Sequence, residues 1–152
     1  MEELFVLAAA ETLPASSAEI SRSDGGRLVY HWNSPCEPLA GLWVSVSARE
    51  VMLSTKISHM HVDQTDFWRD EVPEPELPKR IVEQAVKEAD QILAGDTVFI
   101  KTFSPEGREV SSGGIAPRSL WMDPQERLSW AAFFGEGYVA RAWDWFGEVT
   151  DD

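Results

Sequence analysis

His59-Met60-His61-Val62-Asp63 is where the residue types of this chain come closest to supporting catalysis. Side chains alternate across a strand. In an extended segment, H-x-H-x-D therefore puts two imidazoles and a carboxylate on one side, within reach of one metal ion. Zinc accepts such nitrogen and oxygen ligands, with Asp63 or Asp66 supplying the carboxylate beside His59 and His61. The ligand supply argues against this reading. The chain has 3 histidines, and none follows His61. The simpler expectation is that both histidines close a strand on its core side or rim, and order the next loop by hydrogen bonding. No cofactor is expected.

The run SHMHVDQ superficially resembles the metal-binding motif of metallo-β-lactamase-like hydrolases. That motif continues with a histidine after the aspartate, where this chain has Gln64, and those enzymes use further downstream histidines. The family is set aside on both counts. Cys36 lies between Pro35 and Pro38, five residues after His31, with nothing local to make a nucleophile pair. G-x-S-x-G, P-loop and dinucleotide-binding patterns are absent. Ser111-Ser112-Gly113-Gly114 is a small-residue turn lacking the helix that an anion site needs.

Recognition is better supported. Between Asp63 and Pro78, three prolines exclude regular structure, and six carboxylates face one arginine, Arg69, for a net charge of −5. Carboxylates there can pair with a partner's lysines and arginines, while aromatics provide a buried anchor. The candidate partner-binding residues are Asp66, Phe67, Trp68, Asp70, Glu71 and Glu74. Trp143-Asp144-Trp145-Phe146 repeats the mixture. The competing expectation puts Trp68 and one of Trp143 or Trp145 in the core, leaving the acids as a solvated face.

The whole chain carries 13 basic and 26 acidic residues, a net charge of −13. Such a field repels nucleic acid and anionic membranes and speeds encounter with basic partners. At 152 residues and 43% apolar content, one domain spanning 1–152 is expected. No apolar run reaches the roughly 18 residues of a membrane span. The LFVLAAA patch near the N-terminus follows two glutamates, where a signal peptide would carry positive charge. One cysteine permits no internal disulfide, which suits a cytoplasmic protein.

The elements that position these residues read as an α+β fold. A mostly antiparallel sheet is expected from successive hairpins, with one long helix packed on it. Glu2–Glu11 reads as a short helix ended by Pro14, with Leu4, Phe5, Leu7 and Ala8 near one face. Ala18–Arg22 and Arg27–Trp32 pair around Ser23-Asp24-Gly25-Gly26. Period-two alternation over Leu42–Val46 and Val51–Ser58 predicts a hairpin. Residues 79–94 form the long helix, with an apolar stripe including Ile81, Ala85, Ala89 and Ile92 and Gly95 as its stop. Thr97–Phe103 returns through Arg108–Ser112. Leu128–Phe134 and Tyr138–Phe146 are expected to form a last hairpin, followed by a frayed tail over Glu148–Asp152.

The strand into SHMHVD, the helix PKRIVEQAVKEADQILAGD and the late YVARAWDWFGEV together resemble a type common among bacterial immunity proteins, the antidotes of polymorphic and contact-dependent toxins. The resemblance implies a non-enzymatic protein that binds one cognate toxin tightly and blocks it, and the net charge of −13 suits a basic toxin. The alternatives are a phage-type inhibitor that mimics nucleic acid and a small metal-dependent enzyme using His59 and His61.

Overall fold

A computed structural model describes residues 1–14, 17–111 and 113–150. The fold is α+β, with two antiparallel sheets. Its residues form two compact units that interleave along the chain. The first comprises Met1–Asn33, Gly41–Thr55 and His59–Asp90; the second comprises Ser34–Ala40, Lys56–Ser58 and Gln91–Asp152.

The first unit contains helix α1 (Glu2–Thr12) and strands β1 (Glu19–Arg22), β2 (Leu28–Asn33), β3 (Gly41–Val46), β4 (Val51–Ser54) and β5 (His59–Val62). The strands pair in sequence order as an antiparallel meander. Alternation explains its buried face: Leu28, Tyr30 and Trp32 of β2 are buried, as are Leu42, Val44 and Val46 of β3 and Val51 and Leu53 of β4. Phe5 of α1 meets Tyr30 edge-on at 5.4 Å, and Tyr30 stacks on Trp32 at 5.7 Å. These aromatic pairs add about 0.5–1.5 kcal/mol each beyond the area they bury.

Helix α2 (Leu77–Ala94) follows the acidic loop. Ile81, Val82, Ala85, Val86 and Ala89 are buried at helical spacing within the first unit. Its end belongs to the second unit. There, Gly95 N–H donates to Ile92 O at 3.1 Å and Asp96 N–H to Gln91 O at 2.9 Å. This double closure needs a left-handed residue, and Gly95 has φ 80°.

The second unit contains β6 (Thr97–Phe103), β7 (Gly114–Pro117), helices α3 (Arg118–Trp121) and α4 (Pro124–Ala132), and β8 (Val139–Trp143). Strand β6 lies between β7 and β8. Val98, Ile100, Ala116, Trp121, Ala142 and Val149 form one core cluster.

The expected paired strands near the N-terminus, the helical stripe and the strand at Thr97–Phe103 are present. Four local expectations are corrected. Val51–Ser58 is not one strand: β4 ends at Ser54, and β5 turns back along it, pairing Met52 with His61. Lys56–Ser58 instead belong to the second unit, where Lys56 N–H donates to Leu39 O at 3.0 Å and Ile57 is buried. Leu128–Phe134 is no strand. Asp123 accepts from Gln125 N–H at 2.8 Å and caps α4, with Pro124 at its first turn. The return of Arg108–Ser112 is reduced to a bridge between Phe103 and Glu109, and ladder pairing resumes at β7; Ser112 lies outside the described residues. The tail is anchored through Val149, whose N–H donates to Ala142 O, and Glu148, which accepts from Arg141 Nε at 2.7 Å. Asp151 and Asp152 lie outside the described residues.

In α1, Phe5 and Ala9 are buried, while Leu4 and Leu7 face solvent, so the buried line is narrower than expected. Among the described residues, no helix is long and apolar enough to cross a membrane.

Candidate partner-binding site

The acidic loop begins where β5 ends, and a reciprocal cap holds its first turn. Asp63 accepts from Thr65 N–H at 2.6 Å and from Thr65 Oγ1 at 2.7 Å. Asp66 Oδ2 accepts from Asp63 N–H at 2.8 Å. Gln64–Phe67 is thereby wound into one 3-10 turn. Asp66 thus serves the loop's own shape before it serves any partner.

The turn delivers Trp68 to the surface, where its side chain is 70% exposed. Phe67 beside it is half-buried, and Asp70, Glu71 and Glu74 are exposed. Arg69 lies with Cζ 4.7 Å from the Trp68 ring centroid, a cation–π contact that orders both side chains. Glu71 has φ 48°, a left-handed conformation that few side chains other than Gly and Asn adopt readily. It reverses the chain toward Pro73. All six expected binding residues therefore lie on one short surface segment, and the expectation of a core Trp68 is overturned. Trp143 and Trp145 are both buried.

A cleft of about 760 Å³ opens within the first unit beside this loop. Glu50, Asp63 and Glu74 bring carboxylates to it, with Arg49 the one basic side chain in its lining. Glu50 has no conspicuous sequence signature. The signal available was register: a hairpin pairing Val51 with Val62 puts Glu50 close to His61 and Asp63.

His59 and His61 share one face of β5, with ring centroids 5.3 Å apart, as alternation predicts. That face is exposed, not the core side; Val62 occupies the buried one. The β4–β5 turn resets which side faces inward, so the alternation of β4 does not carry through. His61 Nδ1 lies 3.1 Å from Glu50 Oε2, so this histidine meets the turn before β4, whereas the acidic loop it was expected to order is held by Asp63, Thr65 and Asp66. Among the described residues, no group of three or more His, Cys, Asp or Glu side chains is placed to hold a metal ion. Burial pushes the Cys36 thiol up, opposite to the shift that activates a cysteine nucleophile.

The Thr65 hydroxyl and N–H, with a smaller pull from His61, hold the Asp63 carboxyl below the usual aspartate range. A lowered folded value means that the cap contributes fully above the ordinary aspartate range. Its contribution disappears as pH falls through the lowered value. The Thr65 amide resonance is expected to show that acid step, and Asp63→Asn to lose it while keeping the turn. A step that persists in Asp63→Asn would assign the titration to another carboxylate.

The fold and loop thus define an α+β chain that presents an exposed tryptophan among carboxylates. Comparison with protein-family models, curated protein sequences and solved structures found no match.

Proposed function

We propose that this protein is a non-enzymatic acidic binder that neutralises a cognate basic toxin, as immunity proteins do, and that the segment from Asp66 to Glu74 grips the partner. The observation carrying the reading is Trp68, 70% exposed within a loop of net charge −5. Leaving a tryptophan in water forgoes a large apolar burial, and tryptophan is the residue most enriched at binding hot spots. The surrounding carboxylates, and a chain charge of −13, favour a positively charged partner and speed its approach. This reading places the protein in the cytoplasm with its target.

The test is co-expression and co-purification with the product of the adjacent gene. A stable complex and restored growth of cells producing that gene product are expected. Asp70→Lys combined with Glu71→Lys should slow association by roughly tenfold or more at low salt and flatten its salt dependence. These two positions are chosen because Asp66 also builds the turn. Unchanged association kinetics in the double variant would remove the loop from the interface.

A further inference from the structure

A second cleft lies wholly within the second unit and takes no part in the acidic loop. It encloses about 410 Å³, within the range of small-molecule sites. Trp130, Phe133 and Phe134 form its aromatic wall, and Ile100 and Thr102 of β6 face them. None of its nine lining residues is charged, in a chain where 26% of residues are. The lining offers no counter-charge to an ion, which favours a neutral occupant.

The cleft also carries directional groups. Ser111 Oγ accepts from Thr102 N–H at 3.1 Å, which leaves its own O–H to donate. Ser129 Oγ donates to Glu126 O at 2.6 Å, which leaves its lone pairs to accept. Phe133 at this wall is 86% exposed, the most exposed large apolar side chain among the described residues. It meets Phe134 edge-on at 5.4 Å, and Phe134 stacks on Tyr138 at 6.1 Å. The Trp130 ring rests against Gly114, where a Cβ would overlap it, and packs on the core cluster of this unit.

We propose that this cleft binds a neutral, planar hydroxyaromatic molecule of one or two rings. The rings stack against Trp130 and Phe133. The ligand hydroxyl accepts from Ser111 and donates to Ser129. Burial of the ligand covers the Phe133 face that is otherwise in water.

The test uses naphthol, with naphthalene as the probe lacking the hydroxyl, titrated into the full chain by calorimetry and followed by probe fluorescence. One naphthol per chain is expected, with naphthalene about a hundredfold weaker, the equivalent of two lost hydrogen bonds. Ser111→Ala should weaken naphthol about tenfold, the loss of one of its two hydrogen bonds, and leave naphthalene unchanged. Phe133→Ala, at a solvent-exposed position that the fold does not need, should weaken both. Failure of naphthol to saturate at one site overturns the proposal, even if Phe133→Ala alters association with a protein partner. Binding that survives both substitutions overturns it as well, because the molecule then sits elsewhere. Neither result bears on the acidic loop, which is tested through its own variants.

Discussion

Trp68→Ala is expected to leave the melting temperature within about a degree of wild type while weakening the partner complex roughly thirtyfold or more, about 2 kcal/mol. The two halves of this prediction have separate causes. With 70% of its surface already in water, Trp68 contributes little to folding, and its removal leaves no cavity. The turn beneath it is held by Asp63, Thr65 and Asp66, none of which touches the indole through the hydrogen bonds that define the cap. In a complex, the indole is the most exposed large apolar side chain that the segment offers, beside the half-buried Phe67. Its loss should appear mainly as faster dissociation, whereas reversing Asp70 and Glu71 should appear mainly as slower association. Trp68→Phe should recover part of the affinity. Stopped-flow and calorimetric titration with the adjacent gene product would measure all three. An affinity within twofold of wild type for Trp68→Ala would mean that the exposed indole is not the anchor.

The legible parts of the fold were those set by local periodicity. The stripe of α2 and the alternation of β2 and β3 each bury one face, and that face can be read without knowing what it meets. The acidic loop was legible because prolines and charges exclude other structure. The failures have two sources: one local signal outweighing another, and contacts remote in sequence. Leu128 and Trp130 alternate like a strand, yet the Asp123-Pro124 cap and two alanines favour helix, and Leu128 ends 70% exposed. Continuous alternation from Val51 to Ser58 hid a turn in which Lys56 N–H donates to Leu39 O. That error also turned His59 and His61 toward the core on paper, since a slip of one residue exchanges the two faces of a strand. The role of Asp66 as a cap lay in the Asp63-x-x-Asp66 spacing, one carbon shorter than the familiar capping box with Glu. The stacking of Arg69 on Trp68 had no signal beyond adjacency.

Gly41→Val should have the largest effect on stability, a loss of roughly 2–3 kcal/mol and a fall in Tm of roughly 5–10 °C. Gly41 opens β3 opposite Asn33. Its role is space: a Cβ there would lie 2.6 Å from the Trp32 carbonyl oxygen and 2.6 Å from His31 Nε2. The imidazole of His31 stacks on its cross-strand partner Trp43, with centroids 4.5 Å apart and planes 9° from parallel. It reaches diagonally over the glycine, the neighbour relation through which side chains on one sheet face interact. A side chain at position 41 must displace that ring or push the two strands apart. Displacing the ring loses the stack, and moving the backbone disturbs the buried residues Trp32 and Leu42. His31→Ala removes one of the two collisions and leaves the carbonyl. The double variant should therefore recover part of the loss, with a coupling of about 1 kcal/mol in a double-mutant cycle by thermal or urea denaturation. Strict additivity would show that the ring is not what Gly41 accommodates and would place the whole cost on the backbone contact.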